Sequence, residues 1–127
     1  MVSSHISAIL LVTGIVTALP VLQFILPGPA LRLLYKLDLR DEAGLFFAQH
    51  WGLLAATMGG LLIYASGHAE VRAPIVLAAM LEKAGLVGCI AAGWRKPHTR
   101  GMRLVFAFDL ACVVVYGLWL FGAQASA

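Results

Sequence analysis

The stretch that decides the fold is Ala73–Trp94, APIVLAAMLEKAGLVGCIAAGW, which is apolar throughout except for the adjacent pair Glu82-Lys83. A helix needs about 20 apolar residues to cross a hydrocarbon core of roughly 30 Å, so this segment reads as a membrane span with two charges at its middle. Three further stretches fit the same template: Met1–Leu31 and Ala43–Ala69, both without charge, and Leu104–Ala127, interrupted only by Asp109. The expected helices cover about 5–26, 45–66, 72–94 and 102–123. The expected fold is therefore all-α, a four-transmembrane-helix bundle in which residues 1–127 form a single membrane domain.

Composition agrees with this reading. Of the 127 residues 61% are hydrophobic and 12% charged, and the mean hydropathy is +0.92. A soluble domain carries about 25% charged residues. Too little polar surface is present for a soluble enzyme, a disordered tail or a DNA-binding module. Pro27-Gly28-Pro29 ends the first helix, Gly67 closes the second, and Pro74 falls in a first turn, where a missing amide is tolerated. The first span has no basic n-region and no A-x-A cleavage pattern, so it reads as a span and not as a cleaved signal peptide.

Lys and Arg collect in cytoplasmic loops. Arg32, Lys36 and Arg40 lie between the first two spans, and Arg95, Lys96, Arg100 and Arg103 between the last two; the other side has only Arg72. Loops 27–44 and 95–101 are therefore expected in the cytoplasm and both termini on the non-cytoplasmic side, in the cytoplasmic (inner) membrane if the cell is bacterial. The seven basic residues are expected to contact anionic lipid headgroups, which suits the net charge of +3 better than nucleic acid does. Arg32, Lys36 and Arg40 recur at four-residue steps, so an interfacial helix over about 30–40 is one reading and an ordinary polar connector the other.

Ionisable residues at membrane depth are costly and usually turn toward a bundle interior or a wet cavity. At 1.5 Å rise per residue, Glu82 and Lys83 lie close to mid-bilayer, with Asp109 and His50 each about 8–9 Å in from the cytoplasmic side. Helical periodicity groups His50, Thr57 and Tyr64 on one face, Asp109, Cys112 and Tyr116 on another, and Thr13, Thr17 and Pro20 on a third. Glu82 shares its face with Ala78, Gly85, Cys89 and Gly93, small residues that mark helix contacts in membranes, so Glu82 is expected inward and Lys83 at the border. Pro20 should free the Val16 carbonyl. If every polar stripe turns inward, a mid-plane layer holds Thr17, Thr57, Glu82, Lys83 and Tyr116, and an inner layer holds Gln23 and a His50–Asp109 hydrogen bond. A second stripe, Gly52, Ala56 and Gly60, permits close approach within the bundle or between two copies. Trp51, Trp94, Phe46 and Phe47 read as interfacial anchors at the inner side, with Trp119 and Phe121 at the outer end.

Cys89 and Cys112 lack C-x-x-C spacing and read as packing residues; the four histidines offer no matched pair of haem ligands within one chain. No metal, no cofactor and no catalytic residue is expected. The candidate ligand-binding or proton-relay residues are His50, Thr57, Glu82, Lys83, Asp109 and Tyr116. They are expected to serve either as a hydrogen-bonded plug that fixes the packing or as the lining of a pocket or proton path.

The whole chain resembles the DoxX-like small four-helix membrane proteins, through its four-span layout, the stretch Gln49-His50-Trp51-Gly52, the Glu82-Lys83 pair and Asp109. That resemblance implies the four-helix membrane fold and carries no functional residue with it. The sequence leaves three readings: a non-enzymatic ligand- or lipid-binding or accessory membrane protein, a proton-coupled small-molecule carrier working as a homodimer, and an intramembrane isomerase-like enzyme. The expected partners are the lipid bilayer, a small amphipathic ligand, and a second copy of the chain or a larger membrane complex.

Overall fold

The computed structural model describes residues 4–125, with side chains through residue 122. Among the described residues six α-helices follow one another: α1 Ile6–Ala18, α2 Val21–Ile25, α3 Pro27–Tyr35, α4 Glu42–Ser66, α5 Arg72–Ala92 and α6 Arg103–Ala125. Short 3₁₀ turns at Ala69–Val71 and Pro97–Met102 lead into α5 and α6. Four helical segments are long and apolar enough to cross a membrane: α1 with α2, α4, the Ala69–Ala92 segment and the Pro97–Gly122 segment. Their outward surfaces are apolar, with Val12, Ile25, Leu81, Val114 and Leu118 more than half exposed. So large an uncovered apolar surface suits lipid and not water.

The first span is bent. Pro20 has no amide to donate, and the chain answers with tighter bonds: Leu19 N–H donates to Val16 O at 3.1 Å and Gln23 N–H to Pro20 O at 2.8 Å. The Val16 carbonyl expected to be free is thus occupied. Two glutamines pin the bent segment to α4, Gln23 Nε2 donating to Ala48 O at 3.0 Å and Gln49 Nε2 to Phe24 O at 2.8 Å.

The expected helix over 30–40 is displaced. It starts at Pro27, whose fixed φ suits a first helical position, and ends at Tyr35. Lys36 adopts a left-handed conformation (φ 55°). Lys36 N–H reaches Arg32 O and Leu37 N–H reaches Leu31 O, while Leu31 and Leu37 pack in the same cluster. The Lys36–Arg32 bond is that of an αL stop, with lysine in the place glycine usually takes. Arg40 therefore leaves the stripe it was expected to share with Arg32 and Lys36. The second span begins earlier than residue 45, because the Asp41 carboxylate accepts the Gly44 amide at 2.8 Å and caps α4. At the other end of α4, Arg72 donates to the Ala65 and Ser66 carbonyls, both at 2.9 Å.

Packing runs α1 on α4, α4 on α5, and α5 on α6. One apolar cluster near the termini gathers Leu10, Leu62, Val76, Ala79, Cys112 and Tyr116. A second, near the two basic loops, gathers Leu31, Tyr35, Ala48, Ile90 and Met102. The buried face of α4 is Ala48, Gly52, Ala55, Gly59, Leu62 and Ala65. The small-residue stripe expected at Gly52, Ala56 and Gly60 is therefore out of register after Gly52. A Cβ on Gly59 would lie 2.6 Å from the Ala18 nitrogen and the Gly14 carbonyl oxygen, whereas a Cβ on Gly60 meets nothing within 4 Å.

Gly59→Ala should accordingly lower stability by about 1–3 kcal/mol, the range for overpacking a close contact, while Gly60→Ala leaves it unchanged or raises it. Thermal unfolding of both variants in detergent checks the contrast; equal effects would place the close approach elsewhere.

Candidate functional site

Between the two clusters lies a cavity of about 350 Å³, walled by the bend of the first span, by Tyr35, by α4, and by the middle of α5 and the first half of α6. Its lining is apolar except for Thr17, Tyr35, Glu82, Lys83 and Asp109. The ring of helices is joined between α1 and α6 by one hydrogen bond near the termini. The Thr13 hydroxyl donates to Ile9 O at 2.7 Å, so it accepts from the Tyr116 hydroxyl at 2.5 Å. Nearer the loops, the first span and α6 line the cavity separately, through Val16, Leu19 and Pro20 at the bend of one and Leu104, Val105 and Phe108 on the other. Leu19 and Leu104 are 49% and 83% exposed, so the cavity reaches the bundle surface between these two helices.

Lys83 and Asp109 are the polar centre. Lys83 is 2% exposed and Asp109 4%, and Nζ lies 2.9 Å from Oδ1. The same ammonium lies 4.9 Å from the centroid of the Phe108 ring, close enough for a cation–π contact. Glu82 lies on the wall beside them; its Oε2 is buried and has no hydrogen-bond partner among the described residues. Thr17 is buried and donates back to Thr13 O at 2.6 Å.

The structure corrects three expectations about which groups meet. His50 is exposed on the outer side of α4, so the expected His50–Asp109 hydrogen bond is absent and Asp109 pairs with Lys83. Thr57 also faces out, bonding its own helix at Leu53 O, and Tyr64 is 50% exposed. The reason is steric. His50 and Thr57 lie two residues from Gly52 and Gly59, about 200° round the helix. The glycine face must turn inward for α1 to approach, and the polar stripe is carried outward.

On α5 the inward face is Val76, Ala79, Lys83 and Ile90, so Lys83 and not Glu82 is the more buried of the pair. Ala78, Gly85 and Cys89 are exposed, and no atom approaches the Cβ position of Gly85. Small residues mark a contact only where a second backbone comes close, and here none does. Pro20 and the face of Asp109, Cys112 and Tyr116 do turn inward as expected, and Gln23 is fully buried.

Tyr35, Trp51 and Phe108 are cavity residues that the sequence reading did not assign. Trp51, expected as an interfacial anchor, stacks on Tyr35 at a centroid distance of 5.3 Å. Burial, reinforced by the nearby Asp109 and Glu82 carboxylates, pushes the Tyr35 phenol well above its usual range, so it keeps its proton. Gly101 seats the 97–102 turn against α3, since a Cβ there would run into the Tyr35 carbonyl.

All seven basic residues of the two loops are exposed. Asp38 pairs with Arg40 at 3.1 Å and with Arg32 at 3.7 Å, and the hydrogen bonds and charge of Arg40 hold its carboxyl below the usual range. Arg103 stacks over Trp94 at 4.5 Å.

Removing either member of a buried ion pair strands the other, which costs about 3–5 kcal/mol, whereas replacing both with apolar residues is often neutral. Lys83→Met and Asp109→Leu should each destabilise by that order, and the double variant should recover most of the loss. His50→Ala should stay within about 0.5 kcal/mol, as surface substitutions do. A double-mutant cycle on unfolding in detergent measures this; additive losses would contradict the pairing.

The chain matches no protein-family model, no curated protein and no solved structure, so the geometry of the cavity carries the functional reading.

Proposed function

We propose that this is a non-enzymatic integral membrane protein that holds a small amphipathic molecule in the cavity among its four spans. The observation that carries the reading is the coincidence of cavity and charge. Glu82 and Lys83 at the middle of α5 and Asp109 in the first half of α6 all lie on the wall of the same 350 Å³ space. Small-molecule pockets run from roughly 300 to 1,000 Å³ and combine apolar walls with a few convergent polar groups. A plug built only to fix helix packing would consume its polar atoms, yet the Glu82 Oε2 is unspent.

The opening between α1 and α6 supports access from within the bilayer, the route an amphipathic molecule already dissolved in lipid would take. The Thr13–Tyr116 bond closes the same seam nearer the termini, which argues against a continuous path and ranks a proton-coupled carrier second. The concentration of seven of the nine Lys and Arg residues at the loop end supports loops 27–44 and 95–101 in the cytoplasm, both termini outside, and headgroup contacts at Arg32, Lys36, Arg40, Arg95, Lys96, Arg100 and Arg103. In a bacterium the membrane would be the cytoplasmic one. The four-span layout is also what supports kinship with the DoxX-like proteins.

Native mass spectrometry of protein extracted with its own lipids tests the proposal. The expected spectrum shows a retained small molecule whose occupancy falls several-fold in Leu86→Trp, a substitution that adds a ring to the cavity wall. No retained molecule in either protein, with a co-extracted protein instead, would favour an accessory subunit over a binding protein.

A further inference from the structure

The cavity wall carries two carboxylates, Glu82 and Asp109, and one ammonium, Lys83. Lys83 is committed: its Nζ lies 2.9 Å from Asp109 Oδ1. Adjacent residues on a helix project about 100° apart, and no hydrogen bond or ion pair joins Glu82 to Lys83 among the described residues. With all three groups ionised the wall carries one negative charge in excess, and Glu82, whose Oε2 is buried without a hydrogen-bond donor among the described residues, is the carboxylate outside the Lys83–Asp109 contact. A charge held in apolar surroundings needs a partner that supplies both opposite charge and hydrogen bonds.

We propose, resting on the binding reading above, that the occupant is a monovalent lipophilic cation: an amine with an apolar tail whose ammonium group donates to Glu82. Each alternative class leaves a defect. An anion would meet two carboxylates and an ammonium already engaged. A neutral alcohol could donate one hydrogen bond but would leave the charge uncompensated. Calcium and magnesium take about six or more oxygen ligands and zinc about four protein ligands, and no group of three His, Cys, Asp or Glu that could hold a metal lies among the described residues. The aromatic residues fit the same class, since Tyr35, Trp51 and Phe108 share the wall and aromatic faces attract ammonium groups.

Depth narrows the class further. Glu82 is the central residue of α5, ten residues from Arg72 and ten from Ala92. That is about 15 Å from either end, half the thickness of a hydrocarbon core of roughly 30 Å. A phospholipid headgroup fixed at the surface does not reach it. The amine is therefore carried by a separate molecule that enters tail and all, through the opening beside Leu19 and Leu104.

The test uses the whole chain in phosphatidylcholine nanodiscs near neutral pH, with empty discs subtracted and three probes sharing one tail: N,N-dimethyloctylamine, octanol and octanoate. The amine should bind saturably and at least about tenfold more tightly than octanol, the scale of a hydrogen bond to a charged group, and octanoate should not bind. Glu82→Gln should abolish the preference for the amine while leaving octanol binding unchanged, and Glu82→Asp should keep the preference. Octanol binding as tightly as the amine, or a preference surviving in Glu82→Gln, would overturn the cation assignment and leave the binding reading standing. Failure of all three probes to bind the wild-type chain would remove the binding reading itself. The comparison of amine with octanol on the wild-type chain decides the proposal even if Glu82→Gln does not fold.

Discussion

The buried contact between Lys83 and Asp109 is the constraint around which the rest of the structure is arranged. A charge at the centre of a membrane helix costs about 2.5–3.5 kcal/mol even on the mildest insertion scales. Lys83 near the middle of α5 and Asp109 in the first half of α6 are tolerated because each is the other's partner at 2.9 Å and both are buried. The contact fixes the rotation of α5 and α6 about their own axes. Once Lys83 is turned toward Asp109, Val76, Ala79 and Ile90 follow it inward, and Glu82 is left at the edge of the cavity with no cation of its own. The pair holds two helices together and leaves the Glu82 Oε2 without a hydrogen-bond partner among the described residues.

A second constraint, independent of charge, shapes the space beside the pair. Gly14 and Gly59 let α1 and α4 meet backbone to backbone, and Gly52 admits the Pro20 carbonyl, which lies only 2.5 Å from where a Cβ would sit. The bend at Pro20 then carries the rest of the first span along α4, where Gln23 and Gln49 fasten it. With α1 committed to α4 and α6 to α5, the seam between α1 and α6 closes only at Thr13 and Tyr116. The cavity is the volume left where that seam parts. Proline, glycine and ion pair thus act at different places, and their combined effect is a polar-edged space inside an apolar bundle.

Much of this was legible in the sequence. Four uninterrupted apolar stretches, the Pro27-Gly28-Pro29 break and Gly67 gave the spans to within a few residues, because length and punctuation are local properties. The inward face of α6 was legible too, since Asp109, Cys112 and Tyr116 are spaced for one stripe and nothing competes with them. The rotation of α4 was not. Two stripes competed there, one polar through His50, Thr57 and Tyr64 and one small through Gly52 and Gly59, and polarity was given precedence. Close packing decides the matter, because a backbone contact forbids any side chain, whereas an exposed imidazole or hydroxyl can bond its own helix or turn toward the interface. The same competition misplaced Glu82 and Lys83. The end of α3 was hidden for a different reason: Lys36 occupies a left-handed position that sequence would assign to glycine.

The account is tested most directly by a distance. Solid-state NMR on the chain in lipid bilayers, with ¹⁵N in the lysine side chains and ¹³C in the aspartate carboxyls, reports dipolar contact between Lys83 and Asp109 without perturbing either. The account predicts strong dephasing at the Asp109 carboxyl, consistent with a nitrogen–oxygen separation of 2.9 Å, and its loss in Lys83→Met. An Asp109 carboxyl with no lysine nitrogen nearby would contradict it.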